Sequence, residues 1–380
     1  MLSLHTNNAA LSAQNAISRN QNSLSTSMTR LSTGYRINSA MDDAAGLQIA
    51  TRLKAQTSGM AMAMRNTQNG ISMMQTAEGA LGETSNILVR MKDLATQAAD
   101  ASSTSADKTA MQSEYDALAR ELTNIVGNTS FGGSKLLTQA ATAGQKSTAA
   151  ADLGAATTAA TNAATATGNA LTAYSNAQTA YGTTPTAANA ATLATTKKAW
   201  EDATIAETAA VALRTSATAY NTAANASSTN GTFASAMNFQ IGASTSETMS
   251  LDITASLASL HVTLGDTSTN YNSFGAAMGL QGTELTGTGA SGMIDKLQAA
   301  IDSVGAVRSS LGAASNRLEH VSTNLSNISA NTEAATGRIM DVDFATESAN
   351  MTSNQMLLQA GTAMLKQSNS LSSMVMSLLQ

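Results

Sequence analysis

The stretch that decides the fold covers residues 17–50 and reads ISRNQNSLSTSMTRLSTGYRINSAMDDAAGLQIA. In its first half, Ile17, Leu24 and Leu31 recur every seventh residue, which is the spacing of a helix that packs against a second helix along a seam. Residues 33–47 interrupt this spacing and include the turn formers Gly34, Asn38 and Ser39, and the aspartates at 42 and 43 suit the positive first turn of a new helix. The stretch therefore predicts a helix, a connector and a second helix.

The other end of the chain repeats the same spacing. Leucine and methionine recur every seventh residue in the last thirty residues, so this segment also predicts an amphipathic helix. The candidate subunit-packing residues at the two ends are Ile17, Leu24, Leu31, Leu357, Met364, Leu371 and Leu378. An alternative interpretation is that both segments are ordinary surface helices that pack on a core.

The composition favours long helices over a thick globular core. Aromatic residues make up 3% and charged residues 12% of the 380 residues, and Pro185 is the only proline. Few large side chains give a thin core, whereas Ala-rich helices can approach one another closely. The predicted fold is a mainly α, elongated, multi-layer subunit with its long terminal helices in a coiled-coil bundle.

Composition also excludes several classes of protein. The chain has no cysteine, so disulfides and thiolate metal sites are excluded. A net charge of −5 without a long basic run argues against a nucleic-acid partner. No run of about 18 apolar residues is present, so we expect no membrane span.

The pattern of apolar and polar residues changes twice in the middle of the chain. A helical pattern begins at about residue 45, has a polar break at residues 102–107 and stops at residues 128–133, where glycines follow. Residues 141–231 are then dominated by Ala and Thr. This insert is either a helical hairpin that turns at residues 182–186 or a loosely structured polar segment, and we favour the hairpin. Residues 232–265 alternate apolar with polar side chains and predict a small β-hairpin, after which helical spacing returns.

Three motifs resemble those of the bacterial flagellin family. The N-terminal motif is LSTGYRINSAMDDAAGLQIA at residues 31–50. The C-terminal motifs are GRIMDVDFATE at residues 337–347 and MLLQAG at residues 356–361. The resemblance extends over residues 1–140 and 232–380, and it does not include the insert.

The resemblance implies an architecture in three parts. Residues 1–45 with 341–380 would form the inner filament-core coiled coil, and residues 46–140 with 232–340 a helical inner domain with the β-hairpin. Residues 141–231 would be the variable, solvent-facing insert. The implied function is polymerisation into the extracellular flagellar filament for motility.

The resemblance also implies partners. They are further copies of the chain, a flagellin export chaperone, and the hook-associated and cap proteins, with export of the unfolded chain through the flagellar type III apparatus. The alternatives to a filament subunit are a hook–filament junction protein and a secreted coiled-coil adhesin.

One possible binding site is implied by the resemblance alone. Residues 87–97, together with Glu114, resemble the patch that the animal Toll-like flagellin receptor recognises, which makes Arg90, Leu94 and Glu114 candidate anchors. The competing interpretation is that Leu94 belongs to the core and that the two charged residues are filament contacts.

Residues suited to catalysis are missing. The three histidines, His5, His261 and His320, are far apart, and no HExxH motif is present to hold zinc. No glycine-rich phosphate loop follows a predicted strand. The aspartate pairs at residues 42–43 and at 341 and 343 stand at predicted helix starts, so we interpret them as caps. We therefore expect no enzyme activity, cofactor or metal.

Overall fold

A computed structural model describes residues 7–226, 230–275, 282–286 and 289–378, and the side chains of residues 371–378 lie outside this description. The chain divides into two compact units. Unit 1 comprises Met1–Arg65, Ile241–Glu247 and Ser322–Gln380. Unit 2 comprises Asn66–Gln240 and Thr248–Val321. The two ends of the chain therefore belong to the same unit.

The chain is mainly α-helical, as the sequence predicts. The helices of the described residues are α1 (Asn8–Thr33), α2 (Ala44–Ala99), α3 (Ser105–Asn128), α4 (Ala143–Thr183), α5 (Ala187–Ala226), α6 (Thr254–Thr267), α7 (Gly289–Met340) and α8 (Phe344–Leu378). Two antiparallel strand pairs accompany them, β1 (Ser130–Phe131) with β2 (Ser134–Lys135) and β3 (Met237–Gln240) with β4 (Thr248–Leu251).

The predicted β-hairpin is present but shorter than the sequence suggests. β3 pairs with β4 in a register that places Phe239 opposite Met249. The expectation that strand continues to residue 265 is wrong, because the chain becomes α6 at Thr254. The buried leucines of α6 recur at helical spacing and are Leu257, Leu260 and Leu264.

A second hairpin, which the sequence pattern did not predict, follows α3. Gly132 and Gly133 have φ angles of 58° and 85°, and they form the turn between β1 and β2. A two-residue turn with both central residues in the left-handed region matches the twist of the strands, and glycine adopts that region without steric cost. The two glycines therefore reverse the chain, whereas the helix itself ends earlier, at Asn128, with Thr129 as its C-cap.

In unit 2, α2 lies antiparallel to α7. Lys92 Nζ donates a hydrogen bond of 2.6 Å to Gln298 Oε1, whereas Glu78 pairs at 3.4 Å with Arg308, so residue numbers fall along one helix as they rise along the other. The fully buried side chains of the two helices include Leu81, Leu88, Met91, Leu297, Val304 and Leu311. On α7 these positions recur every seventh residue, which is the spacing of closely paired helices.

A buried polar network fixes the segments around residues 270 and 284 to α3. The Asp116 carboxylate accepts hydrogen bonds from the Gly282 N–H at 2.9 Å and the Gln112 amide at 2.9 Å. Gln112 in turn accepts from the Leu285 N–H at 2.7 Å. Burial raises the pKa of Asp116, and these donors oppose that shift because they favour the charged form.

The insert is the helical hairpin that the sequence favours. α4 and α5 pack against each other and turn at residues 184–186. The hydroxyl of Thr167 on α4 donates to the Ala203 carbonyl on α5 at 3.1 Å, and Tyr174 stacks on Trp200 with ring centroids 5.7 Å apart. Alanines supply most of the buried residues on the two helices, namely Ala149, Ala160, Ala177, Ala217 and Ala224. Small side chains thus allow two helix backbones to approach closely without large core residues.

His261 joins three segments of unit 2. One ring nitrogen lies 2.7 Å from the Tyr271 hydroxyl and the other lies 2.9 Å from the Leu137 carbonyl. A carbonyl only accepts, so Nε2 donates to Leu137 and the neutral Nδ1 accepts from Tyr271. Burial lowers the pKa of His261 to about 4, because the charged imidazolium loses its hydration.

We expect His261 to make the protein acid-labile. Between pH 6.5 and about 4 the unfolded chain binds a proton at this residue and the folded chain does not, so stability is complete above pH 6.5 and falls with pH through that window. The loss should be about 3 kcal/mol for a shift of this size. When unfolding by urea is measured at several pH values, the His261→Gln variant should not show this loss of stability at acid pH.

The exposed His320 provides the matched control. The His320→Gln variant should keep the acid lability of the natural chain. Equal pH slopes for the natural chain and the His261→Gln variant would contradict the assignment.

Candidate assembly surface

The two terminal helices pack against each other in unit 1. At one end the Asn7 side-chain amide donates to the Ser368 carbonyl at 3.2 Å, and at the other end Arg30 lies 3.9 Å from the Glu347 carboxylate. Residue numbers rise along α1 as they fall along α8, so the pair is antiparallel. Contacts between residues near the two chain ends therefore hold unit 1 together.

The seam between α1 and α8 has a strict seven-residue repeat. The inward positions of α1 are Ala13, Ile17, Asn20, Leu24, Ser27 and Leu31. The inward positions of α8 are Met351, Asn354, Leu358, Gly361, Leu365 and Ser368. On both helices a large apolar side chain alternates with a small or polar one. Ile17, Leu24 and Leu31 thus lie where the sequence places a seam.

The contact between Gly361 and Ile17 shows how the two helices fit. A Cβ atom added to Gly361 would lie 2.9 Å from Ile17 Cγ1, which is too close for two carbon atoms. Following the antiparallel register from this contact places Leu24 across from Asn354 and Leu358 across from Asn20. Each large side chain therefore lies across from a small or polar one, and the helices approach closely.

A connector of residues 34–43 follows α1, as the sequence predicts, and it is tied to the segment that precedes α8. Gly34 ends α1 in the left-handed region with φ 75°, and its carbonyl accepts from the Val342 N–H at 3.0 Å. The Arg36 N–H donates to the Met340 carbonyl at 2.6 Å. These bonds continue the pairing of the two chain ends beyond the helices.

The aspartates of the family motifs hold turns and helix starts. Asp42 accepts from the N–H groups of Ser39 and Asn38 at 2.9 and 3.0 Å, and these bonds lower its pKa. Asp343 accepts from the Thr346 hydroxyl at 2.7 Å, and this bond is the main cause of its lowered pKa. Both carboxylates are charged acceptors, as expected for caps rather than for general acids.

α8 carries a second apolar stripe that α1 does not cover. Leu357 and Met364 are 50% and 67% exposed, although each is adjacent in sequence to an inward leucine. Leu371 and Leu378 continue the same spacing, but their side chains lie outside the described residues. α1 also leaves Leu11 and Met28 more than half exposed. Of the candidate packing residues with described side chains, those on α1 therefore face the seam, whereas Leu357 and Met364 on α8 face away from it.

The three candidate receptor anchors differ in exposure. Arg90 donates two hydrogen bonds to one Glu114 oxygen, at 2.9 and 2.7 Å, and both side chains are about half exposed. Leu94 is 3% exposed and lies in the core of unit 2, as the competing interpretation expects. The exposed patch therefore consists of an ion pair, and Leu94 is not part of its surface.

The described residues contain no group of three or more His, Asp or Glu side chains arranged to hold a metal ion. His261 and His320 do not share a site, since one is buried and the other exposed, and His5 lies outside the described residues. None of the helices, over the part of the chain that is described, has the length and apolarity needed to cross a membrane.

Two family models match the chain at its ends. The bacterial flagellin N-terminal helical region matches residues 4–142, and the bacterial flagellin C-terminal helical region matches residues 294–379. Together these matches include both helices of the antiparallel terminal pair and more than half of the chain. The chain belongs to the bacterial flagellin family. Residues 143–293, which include all but the first two residues of the insert, lie outside both matches.

Individual relatives agree with the family assignment. This flagellin is 48% identical to flagellin C of Vibrio cholerae and 49% identical to polar flagellin F of Vibrio parahaemolyticus, each over 136 residues. The matched stretch spans 36% of the length of these relatives. The crystal structure of Bacillus cereus flagellin is 22% identical, covers 69% of this chain and 88% of its own, and gives a TM-score of 0.37. The assignment therefore rests on sequence.

We expect Gly361 to be required for the close approach of α1 and α8. Gly361→Ala should destabilise the flagellin by about 1 kcal/mol or more, because the new methyl group overpacks against Ile17. Thermal unfolding of the unassembled chain, followed by circular dichroism, measures the change.

Gly312 on α7 is the matched control, because an added Cβ there meets no atom within 4 Å. Gly312→Ala should stabilise the chain by up to about 1 kcal/mol through helix propensity. A stabilisation of similar size in both variants would show that the seam tolerates the methyl group.

Proposed function

We propose that this flagellin is a structural subunit, without enzymatic activity, that polymerises through its terminal helices into the extracellular bacterial flagellar filament. The observation that carries the proposal is the apolar stripe of α8 that α1 leaves exposed. In this proposal residues 1–45 with 341–380 form the filament core, residues 46–140 with 232–340 form the next layer, and residues 141–231 face solvent.

The stripe is suited to contact with another copy of the chain. Leu357 and Met364 lie seven residues apart on α8, and Leu371 and Leu378 extend the spacing to the end of the helix. Heptad spacing is the spacing with which one helix covers another. Burial of such side chains against a neighbour releases free energy of about 25 cal/mol per Å² of apolar surface.

The geometry of such a contact favours a filament. α1 packs on a different face of α8, so the outer stripe of α8 is left to contact an unlike surface on a neighbouring copy. A contact between unlike surfaces repeats from copy to copy, and it produces an open helical polymer when its rotation does not close. A junction protein or a secreted adhesin needs no such repeating contact, so the filament is the better-supported function.

We propose further partners from the same surface. An export chaperone that bound the stripe of α8 would keep the chain from polymerising before export. Hook-associated and cap proteins would bind the same terminal helices at the two ends of the filament. The absence of cysteine is compatible with export of an unfolded chain through the flagellar type III apparatus, because no disulfide has to be broken.

Replacing the stripe should prevent assembly without unfolding the subunit. We expect the double variant Leu357→Gln, Met364→Gln to form no filaments at concentrations at which the natural chain assembles. Its far-ultraviolet circular dichroism should be unchanged, because substitutions at exposed positions typically alter stability by no more than about 0.5 kcal/mol. Electron microscopy after seeded assembly is the measurement.

The insert offers a matched control. Leu171 and Ile205 are 47% and 69% exposed, so the variant Leu171→Gln, Ile205→Gln removes similar apolar surface elsewhere. This control should assemble as the natural chain does. Normal filaments from the stripe variant would show that the outer face of α8 is not the contact between copies.

Arg90 and Glu114 are proposed as a recognition site for the animal Toll-like flagellin receptor. The pair is exposed, and arginine is a frequent anchor at protein interfaces. Leu94 is excluded from the proposed contact because it is buried.

We expect the variant Arg90→Ala, Glu114→Ala to need a concentration about tenfold higher or more for half-maximal receptor activation in a reporter cell line. The variant Lys197→Ala, Glu201→Ala removes another exposed ion pair, on the insert, and should activate normally. Equal activation by both variants would contradict the proposed site.

A further inference from the structure

Exposed methionines are confined to one of the two units. Among the described side chains the exposed methionines are Met28, Met41, Met62, Met356 and Met364, with exposures of 54–96%, and all five belong to unit 1. The large apolar side chains that unit 2 exposes are Val89, Leu171, Tyr181, Ile205, Val211, Leu213 and Val262. Unit 2 keeps methionines such as Met74 and Met91 buried.

Three of the exposed methionines lie on the terminal helix pair. Met28 is on α1 and is 55% exposed, and Met356 and Met364 are on α8 and are 61% and 67% exposed. Met364 belongs to the stripe with Leu357 on which the proposed assembly depends. The apolar surface of the helix pair is therefore built in large part from thioethers.

We propose that Met28, Met356 and Met364 form a reversible oxidation site through which peroxides block assembly of the subunit. This inference rests on the proposed function. A lone pair of the thioether sulfur attacks one peroxide oxygen, so that an S–O bond forms and the O–O bond breaks. The sulfur is oxidised by two electrons to the sulfoxide, and hydrogen peroxide is reduced to water.

The product opposes assembly for a physical reason. A sulfoxide is a polar hydrogen-bond acceptor, and it interrupts methionine-rich interfaces. Burying it against the apolar face of a neighbouring copy without a donor costs free energy that the thioether does not cost. Reaction depends on exposure, so all three sulfurs are open in the free subunit, and Met364, which belongs to the stripe, is covered once a neighbour packs there.

The remaining methionines serve as internal references. Met60 and Met74 are 3% and 1% exposed and should react slowly in the folded chain. Met41 is 96% exposed and lies in the connector rather than on the helix pair, so it should oxidise with little effect on assembly. The Met62 sulfur accepts a hydrogen bond from Arg65, which sets it apart from the helix-pair methionines.

The experiment treats the folded, unassembled flagellin with hydrogen peroxide and locates the added oxygen by peptide mass spectrometry. We expect oxidation at Met28, Met356 and Met364 before Met60 and Met74. The concentration needed for seeded assembly should rise by about tenfold or more, because burying the Met364 sulfoxide in the proposed contact without a hydrogen-bond donor is unfavourable. Treatment with methionine sulfoxide reductases A and B should restore assembly.

The triple variant Met28→Leu, Met356→Leu, Met364→Leu keeps the apolar surface without the sulfur. Each variant is compared with itself, as the ratio of the assembly concentration after peroxide to that before, so that any effect of the substitutions on assembly alone cancels. This ratio should be about one for the triple variant, whereas Met41→Leu should show the same rise as the natural chain. Normal assembly of the natural chain with all three residues oxidised would overturn the proposal, and so would equal sensitivity of the triple variant. Failure of the untreated natural chain to assemble would instead count against the proposed function.

Discussion

The antiparallel packing of α1 against α8 is the contact on which the rest of unit 1 depends. It joins Asn7 to Ser368, at opposite ends of the sequence, and the entropic cost of closing a long loop grows only slowly with its length. A large side chain on one helix meets a small or polar one on the other, as Ile17 meets Gly361. Close packing of the two helix backbones thus stabilises unit 1 without the large apolar core that this composition does not supply.

α8 presents two adjacent apolar faces. Its inward face, which includes Leu358 and Leu365, packs on α1, and the neighbouring face exposes Leu357 and Met364. An exposed apolar face favours association with another surface, which in the proposed filament belongs to a second copy of the chain. The packing within the chain therefore determines which surface remains available for a second copy, and it also leaves thioethers accessible to oxidants before assembly.

Hydrogen bonds at the base of the insert join it to the rest of unit 2. The Gly231 N–H donates to the Thr138 carbonyl at 2.8 Å, and the Ala140 N–H donates to Asn230 at 2.9 Å, so the chain enters and leaves the hairpin at neighbouring points. The segment that leads into the hairpin is held by His261, which donates a hydrogen bond to the Leu137 carbonyl. A hairpin joined in this way can change in sequence or length while the helices around it keep their packing.

Periodicity and turn chemistry predicted much of this fold. Helical seams at both ends, the connector near residues 34–43, the helical insert and the β3–β4 hairpin were all predictable, because each depends on local spacing and on residues with strong conformational preferences. The same local reasoning failed at α6, since a short apolar stretch is compatible with either strand or helix until its neighbours are known. It also missed the two-residue hairpin at Gly132.

The candidate assembly surface and the candidate receptor anchors were also predictable from the sequence only in part. The sequence by itself determined that Leu357 and Met364 lie on an apolar helical stripe, that both ends of the chain are amphipathic, and which family the motifs resemble. Only the tertiary structure decided that α1 covers Leu358 and Gly361 instead, and that Leu94 is buried while Arg90 and Glu114 pair at the surface. The physical reason is that spacing defines the faces of a helix, whereas the partner packed against it decides which face stays in water.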